Sequence, residues 1–341
     1  PHYIIKKEVK MINCIRYIFC KSFNPYNNLA LEEYLLNHVK EGECILYLWQ
    51  NEKTVVIGKN QNAWKECKIQ ELEEEGGKLV RRLSGGGAVF HDLGNLNFTF
   101  LVRKENYDVD KQLEVIIKAV KNVGIHAEKT GRNDITVEGR KFSGNAFYTD
   151  GSRFYHHGTI LVSVDMNHLS KYLNVSRDKL ISKGVESVKS RVINLNEYNP
   201  NLDIDKMKKE LLIAFQEVYN CELTPIEQQE IIESEIKTLV EKFSSWEWNF
   251  GKKMEWTYSI NKRFSWGNVD FNFVVESGRI SQCVIYSDAM DTWLAEYIPI
   301  YLQNCLFTSE HIIERLNNIL VDNNKQNCMQ DIKDMIYDEK L

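Results

Sequence analysis

The sequence predicts an α+β fold in two unequal parts, a larger N-terminal domain and a smaller C-terminal one. Three observations carry this. Short β-rich runs alternate with amphipathic helical stretches, without a regular βαβ repeat. The pattern changes after the aromatic cluster Trp246-Glu247-Trp248-Asn249-Phe250-Gly251. The 341 residues, 43% of them hydrophobic, suffice for one large domain or two unequal ones. The expected division is a domain over 11–245, a linker over 246–253 and an accessory domain over 254–341. Met11 is expected to be the natural start, with residues 1–10 added ahead of it.

In chain order, the spacing of Leu31, Leu35 and Val39 predicts a helix over 27–39, with Glu32 and Glu33 elsewhere on the wheel. Residues 44–49 and 54–57 read as a strand pair across a polar link. A charged helix over 68–75 stops at Gly76-Gly77. Strands at 79–82 and 88–91 flank a glycine run, and 95–102 is a further strand. Leu113, Ile116, Ile117 and Val120 share one face of a helix over 111–123, stopped by Gly124. Residues 134–137 and 141–148 form a hairpin about Glu138-Gly139. A strand at 159–164 and helices at 205–219 and 227–243 complete the first part. Strands at 257–260, 269–275 and 280–286, then three helical stretches, make the second.

The formal net charge of -5 argues against a general nucleic-acid binder. It leaves room for a local basic pocket that takes a phosphate. Of the eight cysteines, no two make a C-x-x-C pair. They read as buried, reduced thiols of a cytoplasmic protein rather than metal or redox motifs. No run approaches the ~20 apolar residues of a membrane span, and the first ten residues are too mixed and charged for a signal peptide.

Three clusters can carry chemistry. Ser84-Gly85-Gly86-Gly87 follows Arg81-Arg82. Glycines let backbone N–H groups approach an anion, and the arginines add charge. Strand alternation allows one of the two arginines to reach a pocket. Taken alone, the run also reads as a glycine-rich turn; it matches neither a Walker A loop nor a dinucleotide fingerprint. In the second cluster, Asp134 opens an apolar strand and Lys141 opens its return. Asp134 is a candidate for holding Mg²⁺ beside phosphates, and Lys141 can place a point charge between carboxylate and phosphate. A turn-capping aspartate and a solvated lysine are the alternatives. In the third, His156-His157 are strand neighbours pointing to opposite faces, which argues for packing rather than a two-histidine metal site.

These motifs together resemble the lipoate–protein ligase A family. The resemblance rests on the run from Arg81 to Asp92, continued by Leu93-Gly94-Asn95-Leu96-Asn97-Phe98-Thr99-Phe100. It rests equally on Gly131-Arg132-Asn133-Asp134, Lys141-Phe142-Ser143-Gly144-Asn145-Ala146 and His156-His157-Gly158-Thr159. Lys183-Gly184-Val185-Glu186-Ser187-Val188-Lys189-Ser190-Arg191-Val192 follows in the same order, and Ser244-Ser245-Trp246-Glu247-Trp248 opens the family's accessory domain. Upstream, Asn28-Leu29-Ala30-Leu31-Glu32-Glu33 and Val56-Ile57-Gly58-Lys59-Asn60-Gln61-Asn62 also fit.

The resemblance implies a biotin/lipoate ligase-like catalytic domain, a mixed sheet flanked by helices, with a smaller α+β accessory domain. It implies activation of lipoate by ATP to lipoyl-AMP, then transfer to a lysine of lipoyl domains, in 2-oxoacid dehydrogenase E2 subunits and the glycine cleavage H protein. The family's ATP-binding positions fall on Arg82, Gly87, Ala88, Val89, Phe90 and Lys141. Its lipoate-binding positions fall on Lys141, Ser84 and Gly86, with Lys141 the catalytic residue. The expected cofactors are ATP and Mg²⁺, and the expected state is a cytoplasmic monomer. Leu29, Leu31 and Trp49 are candidate walls for the acyl tail. His91 and His157 are expected to be structural. Related transferases use a cysteine nucleophile without ATP, whereas no cysteine occurs here between Cys67 and Cys221.

Overall fold

The computed structural model describes residues 11–130, 134–168, 171–174, 192–251 and 257–341. The Gly131-Arg132-Asn133 motif and all but Val192 of the 183–192 run therefore lie outside the described residues. The chain divides into two bodies. One takes the chain up to Val56, with Cys67–Val80 and Val89–Asn249; the other takes Ile57–Glu66, Arg81–Ala88 and Phe250–Leu341.

The strands in chain order are β1 (Cys14–Phe19), β2 (Glu43–Trp49), β3 (Thr54–Ile57), β4 (Lys78–Arg81), β5 (Val89–His91), β6 (Asn95–Arg103), β7 (Glu128–Thr130), β8 (Asp134–Val137), β9 (Arg140–Thr149), β10 (Arg153–Leu161) and β11 (Leu223–Pro225). Eight form one sheet in the order β11-β1-β2-β6-β10-β9-β8-β7. Its β11, β1 and β2 run parallel, and the pairs from β2 onward are antiparallel, so the sheet is mixed. A second, small sheet has the order β4-β3-β5.

The first body's helices follow from their caps and faces. In α1 (Pro25–His38), Asn24 accepts from the Tyr26 N–H and Pro25 starts the first turn. Of the two short helices that come next, α2 (Ala63–Glu66) belongs to the second body and α3 (Ile69–Glu74) to the first. In α4 (Val109–Asn122), Asp108 caps the Lys111 N–H, and Gly124 leaves the helix at φ 84°. Asp203 caps α5 (Ile204–Tyr219) in the same way. After α6 (Glu233–Ser244), Trp246–Phe250 forms the short helix α7.

One face of the large sheet packs on α4 and α5. Leu46, Leu48, Phe98, Phe100 and Ile160 meet Leu113, Ile116, Val120, Leu211 and Phe215 there. Each such side chain contributes roughly 1.5–3 kcal/mol by leaving water. On the other face lies α1, which packs in turn against α6.

The second body holds an antiparallel meander of β12 (Tyr258–Phe264), β13 (Gly267–Glu276) and β14 (Arg279–Ser287). It packs with α8 (Trp293–Leu302), α9 (Ser309–Asn317) and α10 (Gln326–Glu339) around Phe271, Phe273, Ile298, Ile312 and Ile332.

Three expectations need correction. Residues 44–49 and 54–57 do not pair with each other. Both edges of β2 are taken by β1 and β6, so β3 joins the small sheet instead. The strand expected at 159–164 runs from Arg153 to Leu161, because β10 pairs with β6 along its whole length. The helix expected over 227–243 starts at Glu233. Before it, Glu230 ends a 3-10 turn and bonds Arg16, and the Ile232 N–H donates to the Tyr34 hydroxyl.

His156 accounts for the difference at β10. It is fully buried on the core face, edge-on to Phe98, with its ring nitrogens 3.1 Å from Gln112 Oε1 and 2.8 Å from Asn145 Oδ1. Burial, with the charge of His157 adding to it, pulls its pKa down to about 3. The unfolded chain therefore binds a proton that the folded chain refuses between the ordinary value near 6.5 and about 3. This contribution is flat above the ordinary value, and stability falls as pH drops below it, by up to about 1.4 kcal/mol per unit. Urea unfolding at several pH values should show a shallower acid loss in His156→Gln than in the parent. Equal slopes in the two proteins would contradict the neutral buried ring.

Candidate active site

The glycine loop belongs to the second body, together with both arginines before it. Arg81 and Arg82 diverge, as strand neighbours must. Arg81 Nη1 donates to the carbonyls of Gly58, Lys59 and Gln61. Burial lowers its pKa to about 10, so it stays charged near neutrality. Arg82 turns back on the loop. Its Nε donates to Ser84 Oγ at 3.0 Å, and its Nη2 to the carbonyls of Gly85 at 2.7 Å and Gly87 at 2.8 Å. A planar fork suits several fixed acceptors at once. Arg82 thus acts on the loop itself in this structure, fixing the shape of Ser84-Gly85-Gly86-Gly87.

The glycines are needed for space. A Cβ at Gly58 would fall on the Gly86 carbonyl, and one at Gly85 on the Ala289 carbonyl. Gly86 sits at φ 90°, where its N–H donates to the Ala289 carbonyl at 3.0 Å. Gly87 has open space on its side-chain side, and Ala88 is half-buried.

The other expected residues lie in the first body. Val89 and Phe90 sit on β5, paired with Val56 and Val55. Phe90 is buried against Tyr172 and His168, whereas Val89 is exposed.

Lys141 and Asp134 meet on the large sheet, Nζ to Oδ1 at 2.7 Å. The hairpin that joins their strands turns through Glu138 and Gly139, both at positive φ (50° and 76°), which fits a two-residue turn matched to the strand twist. The register then slips. Asp134 faces Gly144 and Ile135 faces Ser143, but Thr136 faces Lys141, skipping Phe142. Without that bulge Phe142 would oppose Thr136, and Lys141 would fall on the core face. The extra residue instead puts Lys141 on the face of Asp134 and Gly144. The lysine stem lies over Gly144, where a Cβ would come within 2.8 Å of Cε and Nζ. Both partners are more than a third exposed (37% and 39%), so the pair is worth at most about 1 kcal/mol to stability. Its value is positional.

This face carries a cross-strand row. Trp49 opposes Asn97, and Asn97 opposes Thr159. The Thr159 hydroxyl accepts from the Gly144 N–H at 3.2 Å, and Gly144 opposes Asp134. The row joins the expected tail wall Trp49 to the Lys141–Asp134 pair. Leu29 and Leu31 are buried on α1.

Beside the row, Glu32 is buried at 1% exposure, although the helical wheel sets it apart from the apolar stripe. Its Oε1 accepts from the Thr99 hydroxyl at 2.7 Å and from His157 Nδ1 at 2.8 Å, while Trp49 Nε1 donates to Thr99 Oγ1 at 3.0 Å. A buried carboxylate needs such donors. His91 is likewise buried, its Nδ1 at 3.2 Å from Asn51. Sequence reasoning assigns no role to Glu32, Asn97, Thr99 or Thr159. One signal is present: polar and apolar residues alternate strictly from Asn95 to Phe100.

Cysteine chemistry finds little support. Burial pushes the Cys67 thiol up to about 12, and Cys44 higher still. Among the described residues no cluster of three or more His, Cys, Asp or Glu could hold a metal ion. Mg²⁺ commonly uses one or two carboxylates plus phosphate oxygens, which a lone Asp134 satisfies. No helix of the described residues is long and apolar enough to cross a membrane.

Comparison with known proteins accounts for both bodies. Residues 24–216 match the lipoyl protein ligase A/B catalytic domain, and residues 253–336 the bacterial lipoate protein ligase C-terminus. Lipoate-protein ligase A of Blochmanniella floridana is 41% identical over 288 residues, 81% of this chain and 84% of the relative. Among solved structures, P. falciparum LipL1 in complex with lipoate superposes with a TM-score of 0.84 at 32% identity, covering 96% of this chain and 99% of that one. The bi-partite ligase of Thermoplasma acidophilum, described with its E2 lipoyl domain, gives 0.63 at 27% identity over 73% and 100% of the two chains. A lipoate-protein ligase A bound with ATP gives 0.61 at 26% identity over 71% and 99%. Family models that cover both parts of the chain in order, with that close a relative, show that this chain belongs to the lipoate–protein ligase A family.

Proposed function

We propose that this enzyme activates free lipoate with ATP and transfers the lipoyl group to a lysine of an acceptor lipoyl domain. The observation that carries the reading is the Lys141–Asp134 pair, turned by the bulge onto the face that holds Trp49. The reading is supported by the family and by relatives described with lipoate, with ATP and with an E2 lipoyl domain.

In the first step a lipoate carboxylate oxygen attacks the α-phosphorus of ATP. The bond to the β-phosphate bridge breaks and pyrophosphate leaves. Two anions must meet, so cations and N–H donors have to stabilise the charge that develops. Lys141 is assigned to the carboxylate and the α-phosphate. Arg82 and the loop it shapes, with Gly87 and Ala88, are assigned to ATP, and Ser84 and Gly86 to lipoate. Val89 and Phe90 are assigned to ATP through main chain and the exposed Val89, because the Phe90 ring is engaged in packing. Asp134 would hold Mg²⁺, which neutralises phosphate charge when bound. In the second step the acceptor lysine amine attacks the acyl carbon, AMP leaves, and the amine proton passes to solvent.

The acceptors are lipoyl domains, those of E2 subunits and the glycine cleavage H protein. We place catalysis in 11–245, a linker in 246–253 and the accessory domain in 254–341, in a monomer of the cytoplasm. A cysteine-based transferase is disfavoured by the high pKa of Cys67 and the absence of cysteine up to Cys221.

Lipoate-dependent exchange of pyrophosphate into ATP tests the first step. Lys141→Ala is expected to abolish it in a folded protein; full exchange in that variant contradicts the role of Lys141. Gly144→Ala tests placement, since the added methyl pushes the lysine end aside. The expected loss of exchange is about 10- to 100-fold at an unchanged Tm. An unaffected rate would count against a fixed lysine position.

A further inference from the structure

Asn97 occupies the middle of the Trp49–Asn97–Thr159 row and is only 2% exposed. Its Oδ1 accepts from Asn95 Nδ2 at 2.9 Å. Its Nδ2 is a buried donor, and among the described residues it has no hydrogen-bond partner. Its neighbours are already engaged: the Trp49 N–H goes to Thr99, and the Thr159 hydroxyl receives the Gly144 N–H. A buried donor without an acceptor is costly. Such a cost is recovered when a ligand brings the acceptor.

We propose that Asn97 is a specificity-determining residue, whose Nδ2 donates to a ring sulfur of bound lipoate. The inference rests on the lipoate-ligase reading above. With the carboxylate at Lys141, over Gly144 on β9, the row leads across β10 to β6. Two strand spacings separate β9 from β6, about 10 Å. An eight-carbon acid laid along the row brings its far end to Asn97, between Thr159 and Trp49. Sulfur is a weak acceptor, but a buried donor with no alternative partner gains from it. Octanoate has the same carbon count and offers no acceptor at that end. Occupied by octanoate, the site keeps its unpaired donor; occupied by lipoate, it does not.

The test is acid-dependent pyrophosphate exchange with lipoate and with octanoate, in the parent, Asn97→Leu and Asn97→Ser. The ratio of the two kcat/KM values cancels any loss common to both acids. Asn97→Leu should lower kcat/KM for lipoate about fivefold and hold octanoate within about twofold. Asn97→Ser retains a hydroxyl donor and should fall between Leu and the parent; it carries the test if the Leu variant does not fold. Equal losses for both acids mark a structural residue and overturn the proposal, as does an unchanged ratio. Absence of exchange with either acid in the parent fails the ligase reading itself, and the proposal with it.

Discussion

One extra residue in β9 decides where the Lys141 ammonium stands. The register of β8 against β9 skips Phe142, and the slip turns Lys141 from the core face to the face of Asp134. A lysine on the core face would oppose Val137 of the apolar core, with its ammonium desolvated and unpaired. The bulge removes that penalty and aligns the charge with Trp49, Asn97 and Thr159. The surrounding features serve the same placement. Glu138 and Gly139 set the hairpin register, and Gly144 leaves room for the lysine stem.

The two faces of the sheet are therefore different solvents. One is an apolar core, in which His156 is held neutral between Gln112 and Asn145. The other runs from the buried Glu32–Thr99–His157 contacts to the half-exposed Lys141–Asp134 pair. The gradient suits an acid with an apolar tail and an anionic head. In the proposed reaction the head meets a hydrated ammonium, whose exchange of Asp134 for a substrate anion costs little because the pair is exposed. In the second body Arg82 acts differently, holding the carbonyls of the glycine loop in one shape with its planar fork.

Much of this is legible in the sequence, for local physical reasons. The apolar stripe of Leu113, Ile116 and Val120 announces α4, and Glu138-Gly139 announces the hairpin. Asp134 and Lys141 stand out together because each opens a strand of that hairpin. What stays hidden depends on contacts distant in sequence. Nothing local marks Phe142 as the bulged residue. Glu32 looks like a solvated helical glutamate until Thr99 and His157 arrive from β6 and β10. His156 looks polar enough to lie outside a strand, yet its partners come from α4 and β9. Residues 54–57 resemble a partner for β2, but β1 and β6, one before it and one well after it in the chain, already hold both of its edges.

The central claim is that this chain joins lipoate to a protein lysine in a reaction driven by ATP. The most direct measurement is the intact mass of a purified lipoyl domain after incubation with the enzyme and lipoate, with and without ATP. The account predicts the mass of one added lipoyl group on a lysine when ATP is present, and an unchanged domain when it is withheld. Lipoylation of equal extent without ATP, or none with it, would contradict the account.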